Sequence, residues 1–231
     1  MKVIQSILGL LCAFSLIFIL LITSVEAVAY WTPGYYEKEY TKYHVTDDVR
    51  MEMSDLLTVT EEMMAYLRGR RQDLHVETIV DGQAREFFNE REIAHMEDVR
   101  DLFVGAIMLR RLAFAVIGLT LLALVLLKAD LLFLIPRSLC AGAGIFFVVI
   151  AALAGIIATD FTRYFTVFHE IFFSNDLWIL DPRTDLLINI VPEPFFVDTA
   201  ARIAVTFGIS ILMLFLVCIW LIRRGKSSSR Q

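Results

Sequence analysis

Four long apolar segments constrain this chain more than any other feature of its sequence. They cover residues 3–24, 104–127, 138–159 and 203–222, and each is close to the roughly 17–25 residues that a helix needs to cross a bilayer. Backbone groups in hydrocarbon must hydrogen-bond within their own segment, so such spans fold as helices. With 58% hydrophobic residues, the sequence predicts a mainly α-helical membrane protein with four transmembrane helices.

The second span is the least regular, because Arg110 and Arg111 interrupt its apolar run. Arginine side chains close to the end of a span can snorkel to the headgroups, where their charge stays hydrated. We therefore expect both arginines to be tolerated in this way.

Basic residues flank the spans unevenly and predict the orientation of the chain. They lie before the first span, in the connection 128–137 and in the tail 223–231: Lys2, Lys128, Arg137, Arg223, Arg224, Lys226 and Arg230. The positive-inside rule places these residues and both termini in the cytoplasm. The long segments 25–103 and 160–202 then form two extracytoplasmic regions. Acidic residues dominate the first of them and the net charge is −5, which argues against nucleic acid as a partner.

The first span, residues 1–24, is expected to remain as an anchor. Its apolar run is long and only Lys2 precedes it. The alternative is a cleaved signal peptide, since Ala27-Val28-Ala29 has the small-x-small pattern of a cleavage site. Either outcome leaves the two outer regions outside. The three cysteines all fall within predicted spans, so no disulfide framework is expected in those regions: Cys12, Cys140 and Cys218.

The first outer region opens with an aromatic stretch, residues 30–43, that holds five tyrosines and Trp31. Tyrosine and tryptophan next to a span are typical of an interfacial belt, which is the interpretation we favour over a ligand cage. Residues 45–70 repeat apolar side chains at helical spacing, and Asp81-Gly82 predicts a turn.

Residues 91–99 form the first of two polar motifs, on a helix predicted to run from about residue 88 into the second span with Asn89 as its N-cap. Glu92, His95 and Asp98 recur every third residue and share one face of that helix. A carboxylate one turn from an imidazole can hold one ring nitrogen and leave the other free as a base. The alternative is a solvated charged face with an incidental histidine.

Residues 168–178 form the second motif and follow the third span. His169 stands among phenylalanines, and Asn175, Asp176 and Trp178 lie within about three helical turns of it. These residues can shape a pocket around His169, or merely cap and anchor the segment. Farther along, two prolines at 192 and 194 predict an irregular stretch before the last span.

Several familiar chemistries are absent from the sequence. His169-Glu170 begins like a zinc-protease motif, but Phe173 occupies the position of the second histidine. Glu92-x-x-His95 occurs only once, whereas a di-iron site needs two copies. There is no G-x-S-x-G, no P-loop and no evident serine or cysteine nucleophile in the outer regions. We therefore expect no metal and no covalent acyl-enzyme.

Together the motifs resemble those of a known family. Arg91-Glu92-x-x-His95-Met96-x-Asp98-Val99, Phe168-His169-x-x-Phe172-Phe173-x-Asn175-Asp176-x-Trp178 and Pro192-Glu193-x-Phe195-Phe196 are similar to the motifs of the lipoprotein intramolecular transacylases, small four-span proteins of Gram-positive bacteria. The resemblance implies a cell-membrane acyltransferase whose partners are diacylglyceryl-modified lipoproteins and membrane lipid. It implies transfer of an acyl chain from the glyceryl sn-2 ester to the α-amino group of the N-terminal cysteine, which gives a lyso-lipoprotein. Residue spacing alone would not have supplied this substrate.

With that chemistry, His95 and His169 are the expected catalytic pair, and no cofactor is needed because the ester already holds the acyl group. We expect His95 to act as the base, oriented by Asp98 or Glu92, and His169 to donate to the ester oxygen; the reverse assignment stays open. The expected supporting or substrate-binding residues are Arg91, Glu92, Asp98, Asn175, Asp176 and Trp178. Spans two and three should pack as antiparallel neighbours and bring both motifs together at the outer leaflet. The alternative function is a non-enzymatic membrane sensor or accessory subunit.

Overall fold

The apolar segments are helical in the computed structural model, which describes residues 2–228 and, of residues 225–228, only the backbone. In chain order the elements are α1 (Lys2–Trp31), α2 (Tyr35–Lys42), α3 (Val45–Val49), α4 (Met53–Leu67), β1 (Glu77–Val80), β2 (Gln83–Glu86), α5 (Glu90–Leu126), α6 (Leu131–Ile157), α7 (Phe161–Phe172), α8 (Leu186–Ile190) and α9 (Glu193–Ser228).

Four of these helices are long and apolar enough to cross a membrane, and each overlaps one predicted span. They are Lys2–Trp31, Glu90–Leu126, Leu131–Ile157 and Glu193–Arg224. The predicted fold class, a mainly helical membrane protein with four spans, is confirmed. The basic tail is only partly described, because Arg230 and the rest of 229–231 lie outside the described residues.

The chain divides into two compact units. The first comprises residues 2–27, 107–159 and 202–228, and the second comprises residues 28–106 and 160–201. In the first unit, buried side chains of α1, α6 and α9 form a common core of Ile17, Ala143, Phe207 and Ile211. Many other apolar side chains of this unit are exposed, among them Val148 at 68%, as expected for helices whose outer faces contact lipid.

α1 and α6 approach each other closely at one glycine on each helix. A Cβ atom on Gly142 would lie 3.2 Å from Cδ1 of Ile17, and one on Gly9 would lie 2.5 Å from Oγ of Ser138. In lipid there is no hydrophobic driving force between helices, so their association relies on close van der Waals packing. Small residues at the contact allow that packing.

The expectation that Arg110 extends to the headgroups was wrong. Its side chain forms an ion pair within the first unit. One of its guanidinium nitrogens donates to a carboxylate oxygen of Glu26 on α1. Glu26 is 4% exposed. A buried carboxylate is costly without a cation, so the pair explains why Arg110 can occupy an apolar span.

The second unit has a core of its own, built largely from aromatic residues. Tyr35 and Tyr40 are buried, and both rings lie about 6 Å from that of Phe195 in the first turn of α9. The Tyr40 hydroxyl is 2.7 Å from Oγ1 of Thr60 on α4. The expectation of an interfacial belt was therefore wrong for these two tyrosines, which are core residues.

A two-stranded antiparallel hairpin follows α4, with Val80 paired to Gln83 next to the turn. Asp81 and Gly82 both have positive φ, 51° and 72°, as the favoured two-residue hairpin turn requires. The predicted turn is confirmed, although the strands around it were not predicted.

The prolines do not produce the irregular stretch that the sequence predicted. α9 begins at Glu193, so Pro194 lies in its first turn, and the carbonyl of Pro192 accepts from the backbone N–H of Phe195 at 2.9 Å. First-turn N–H groups have no partner inside the helix, so proline is tolerated there.

Replacing Arg110 with leucine should destabilise the protein by about 3–5 kcal/mol, because Glu26 would lose its buried cation. A double variant with leucine at both 26 and 110 should recover most of that loss, because it leaves no buried carboxylate without a cation. Unfolding in detergent micelles measures both effects, with Arg111→Leu as the matched control, since Arg111 is exposed. Equal losses at positions 110 and 111 would contradict a stabilising role for this ion pair.

Candidate active site

The site is built from the second unit and starts at the N-terminus of α5. Oδ1 of Asn89 accepts from the backbone N–H of Glu92 at 3.0 Å, and Oε2 of Glu92 accepts from the backbone N–H of Asn89 at 2.7 Å. This reciprocal pair is a capping box, formed here by Asn and Glu at the usual spacing. The predicted N-cap is confirmed, and the box fixes the start of the helix one turn before His95.

Glu92 also connects α5 to the segment around α8. Its second oxygen, Oε1, accepts from the backbone N–H of Leu187 at 2.6 Å, and Nδ2 of Asn89 donates to Oδ1 of Asp185 at 2.8 Å. Glu92 is 1% exposed and Asp185 is 5% exposed. Glu92 is therefore a buried structural carboxylate that is fully engaged by backbone donors.

His95 lies one turn farther along α5, and its ring is almost fully buried. The ring meets Phe173 edge-on at 5.3 Å between centroids and lies 6.1 Å from the ring of His169. Its Nδ1 is buried and has no hydrogen-bond partner among the described residues. The structure thus brings the two predicted catalytic histidines together.

His169 lies in the last turn of α7, where the backbone fixes its tautomer. Nδ1 is 2.7 Å from the carbonyl oxygen of Phe165. A carbonyl only accepts, so Nδ1 must carry the proton that forms this bond. In the neutral ring, Nε2 then has a free lone pair and can accept a proton.

Aromatic rings surround His169 on several sides. Trp178 stacks on its ring at 4.9 Å and 30°, and Phe165 meets it edge-on at 4.4 Å. Phe168 and Phe173 complete this aromatic wall at 5.5 Å each. The sequence placed phenylalanines around His169, but it did not predict the contact between Phe173 and both histidines.

The loop that carries Trp178 is tied to α5 at two points. Nδ2 of Asn175 donates to Oδ2 of Asp98 at 2.8 Å. Arg91 donates to the backbone carbonyls of Asp176 and Ile179. Within the loop, Nε1 of Trp178 donates to the carbonyl of Asn175 at 3.0 Å. Five of the predicted supporting residues therefore hold this loop or lie in it, namely Arg91, Asp98, Asn175, Asp176 and Trp178, whereas Glu92 binds the backbones of Asn89 and Leu187.

Among the described residues, neither expected carboxylate hydrogen-bonds the ring of His95. Glu92 is occupied by two backbone N–H groups, and Asp98 accepts from Asn175. The expectation that Glu92 or Asp98 orients His95 was therefore wrong. Both carboxylates are on the same helix as His95, but their oxygens accept hydrogen bonds from other donors.

Burial governs the charge state of these groups, which precede the apolar part of α5. Residues 90–101 carry seven charged side chains, so this part of the helix lies outside the membrane-spanning segment. Burial lowers the pKa of His95 to about 4, with a smaller contribution from His169, and it also lowers the pKa of His169. The Phe165 carbonyl partly opposes the shift at His169. Both rings are therefore neutral at pH 7.

Sequence reasoning missed part of the framework around the pair. The Asn89-x-x-Glu92 spacing carried a recognisable capping signal, whereas the contacts of Asp185 and Leu187 with α5 gave none. Within the described part of the chain, no group of three or more His, Cys, Asp or Glu side chains is placed to hold a metal ion.

Comparison with known proteins decides the family. The sequence profile of the lipoprotein intramolecular transacylases, Lit, matches residues 10–196. The chain belongs to this family. It is accordingly an acyltransferase, and the alternative of a non-enzymatic sensor or accessory subunit is set aside. No curated protein matches the sequence.

Solved structures of the membrane-integral Lit from Bacillus cereus share the fold. One has a TM-score of 0.81 at 19% sequence identity, over 98% of this chain and 100% of that chain. A variant with a histidine-to-alanine substitution has a TM-score of 0.75 at 20% identity, over 96% of each chain. A histidine-to-arginine variant has a TM-score of 0.76 at 20% identity, over 97% of this chain and 94% of that one.

Glu92→Gln should lower the free energy of unfolding of this family member by about 1–3 kcal/mol, because an amide has one acceptor oxygen for two backbone donors and leaves one N–H buried without a partner. Thermal unfolding in micelles measures the change. Glu90→Gln is the matched control, since Glu90 is exposed in the same first turn. A similar loss in both variants would argue against the buried bonds of Glu92.

The histidine rings should titrate below the ordinary value of about 6.5. Ring signals in an NMR titration, assigned with His95→Gln and His169→Gln, should show an apparent pKa near 4 for His95 and a smaller decrease for His169. Because the unfolded chain binds these protons at higher pH than the folded protein does, stability should fall as the pH drops from about 6.5 toward 4. Titration of both rings at or above 6.5 would contradict their burial.

Proposed function

We propose that His95 and His169 catalyse the transfer of an acyl chain within a diacylglyceryl-modified lipoprotein, from the glyceryl sn-2 ester to the α-amino group of the N-terminal cysteine. Family membership supports this class of reaction. The observation that carries the catalytic assignment is the pairing of two buried, neutral imidazoles with ring centroids 6.1 Å apart inside an aromatic wall.

In this proposal His169 is the base, which reverses the roles expected from sequence. Its Nδ1 is held by the carbonyl of Phe165, so Nε2 is the nitrogen left to take a proton from the substrate amine. Burial lowers the pKa of His95 to about 4, which makes His95 the weaker base. A base whose pKa lies nearer the working pH is the more effective one.

His95 then serves as the donor to the ester. Its Nδ1 is buried with no partner among the described residues, and a buried N–H without an acceptor is rarer than a buried acceptor without a donor. The tautomer with the proton on Nε2 is therefore preferred. That N–H can donate to the carbonyl oxygen as it becomes negative.

The proton and electron balance of the step is complete without any other reactant. The amine nitrogen attacks the sn-2 carbonyl carbon as His169 Nε2 takes its proton, and a tetrahedral intermediate forms. The bond from that carbon to the glyceryl oxygen then breaks, and the oxygen receives the proton from the imidazolium of His169. An ester is exchanged for an amide, which is downhill, and both reacting groups belong to one molecule held in one pocket.

The proposed location is the outer face of the cell membrane, with both termini in the cytoplasm. The support is the distribution of basic residues, which fall before the first span, between the second and third spans, and after the fourth. In that orientation the histidine pair faces the leaflet in which a lipoprotein is anchored.

Mass spectrometry of a reporter lipoprotein tests the assignment. Expressed in a host that makes no lyso-lipoprotein, the chain should convert the reporter to the N-acyl lyso form. His169→Gln and His95→Gln should each lower conversion by about 10²-fold or more, the usual contribution of an acid–base residue. His75→Gln is the control, since this exposed histidine lies outside the pair. Full conversion by either site variant would remove that histidine from catalysis.

A further inference from the structure

Helix α7 carries an apolar face that the described residues leave largely exposed. Its most exposed apolar side chains are Val167 at 38%, Phe168 at 44%, Ile171 at 71% and Phe172 at 51%. Positions separated by three and four residues share one side of a helix, so these four side chains form one strip.

The opposite side of α7 is polar. It carries two threonines, a positive charge and a negative charge, namely Thr162, Thr166, Arg163 and Glu170. A helix with an aromatic and aliphatic face on one side and charges on the other is typical of helices that lie in the plane of a membrane interface.

Chain connectivity indicates what covers the apolar strip. α6, one of the four helices able to cross a membrane, ends at Ile157, and α7 begins at Phe161. Four residue steps span at most about 15 Å, so the start of α7 stays close to the point where a span leaves the hydrocarbon. The strip begins at Val167, about 9 Å farther along α7. If α7 lies along the membrane surface, its whole strip stays beside the lipid chains.

We propose that α7 is an interfacial helix whose strip of Val167, Phe168, Ile171 and Phe172 inserts among the acyl chains of the membrane and so sets the depth of His169. The histidine lies on the same helix, at the edge of the strip, and Phe168 contacts its ring. The ester groups of glycerolipids lie where the headgroups meet the acyl chains. The effect on His169 rests on the proposed function, but the insertion of the strip does not.

Spin labels test the insertion directly in the full-length protein, reconstituted in liposomes. Cysteine is introduced at Ile171 or, as a control, at Glu170, after replacement of Cys12, Cys140 and Cys218. The label at 171 should collide often with oxygen, which concentrates in lipid, and rarely with a water-soluble nickel chelate. The label at 170 should show the reverse preference. Access to nickel at 171, or shielding from both reagents by a protein partner, would overturn the proposal.

A second measurement avoids the cysteine-free background. Ile171→Trp and Glu170→Trp, each in the otherwise native chain, are compared in liposomes that contain brominated acyl chains. The tryptophan at 171 should add a strongly quenched component to the fluorescence of the native protein, and the tryptophan at 170 should not. Equal quenching of the two added components would overturn the proposal.

The consequence for His169 is tested by turnover of a reporter lipoprotein in the same liposomes. Ile171→Glu should lower turnover at least tenfold by lifting the strip out of the acyl chains, whereas Ile171→Leu should retain wild-type turnover. Full activity of Ile171→Glu would overturn the link between insertion and His169. Absence of turnover in the wild-type protein would instead count against the proposed function, and the label and quenching results would stand.

Discussion

Two backbone N–H groups converge on the buried carboxylate of Glu92, and the geometry of the histidine pair follows from that convergence. Burial of a carboxylate is unfavourable unless its oxygens are hydrogen-bonded, and both oxygens of Glu92 are. The bonds fix where α5 begins and hold the Leu187 segment against it. Arg91 and Asp98, on the same helix, then bind the loop of Trp178, which stacks on His169. Residues of α5 thus help to position the surroundings of both histidines, although the helix carries only one of them.

The aromatic wall has an electrostatic effect as well as a steric one. It removes water from both imidazoles, and the negative charge of Asp98 only partly offsets that effect at His95. Neutral rings are the form in which one nitrogen can accept a proton and another can donate one. The two rings differ because only His169 has a carbonyl that fixes its tautomer.

The parts of this structure that follow from local rules could be predicted from the sequence. The four spans follow from the backbone requirement in hydrocarbon, and the start of α5 follows from the capping residues around Asn89. The partners of the charged groups could not be predicted, because they are distant in sequence: Asn175 lies 77 residues from Asp98, and Glu26 lies 84 residues from Arg110. Tyr40 is a similar case. Its place next to a span suggested the interface, but Phe195 from another part of the chain buries it.

The Glu26–Arg110 ion pair has a consequence for how the chain reaches the membrane. An arginine within an apolar segment opposes partition of that segment into lipid, at a cost of about 2.5–3.5 kcal/mol at the centre of a span and less toward its ends. α1 leaves the ribosome before α5, so the carboxylate that neutralises Arg110 is present when the second span arrives. Biosynthesis in this order allows the two helices to enter the bilayer as a neutral pair, and a chain made without α1 would have to insert the arginine alone.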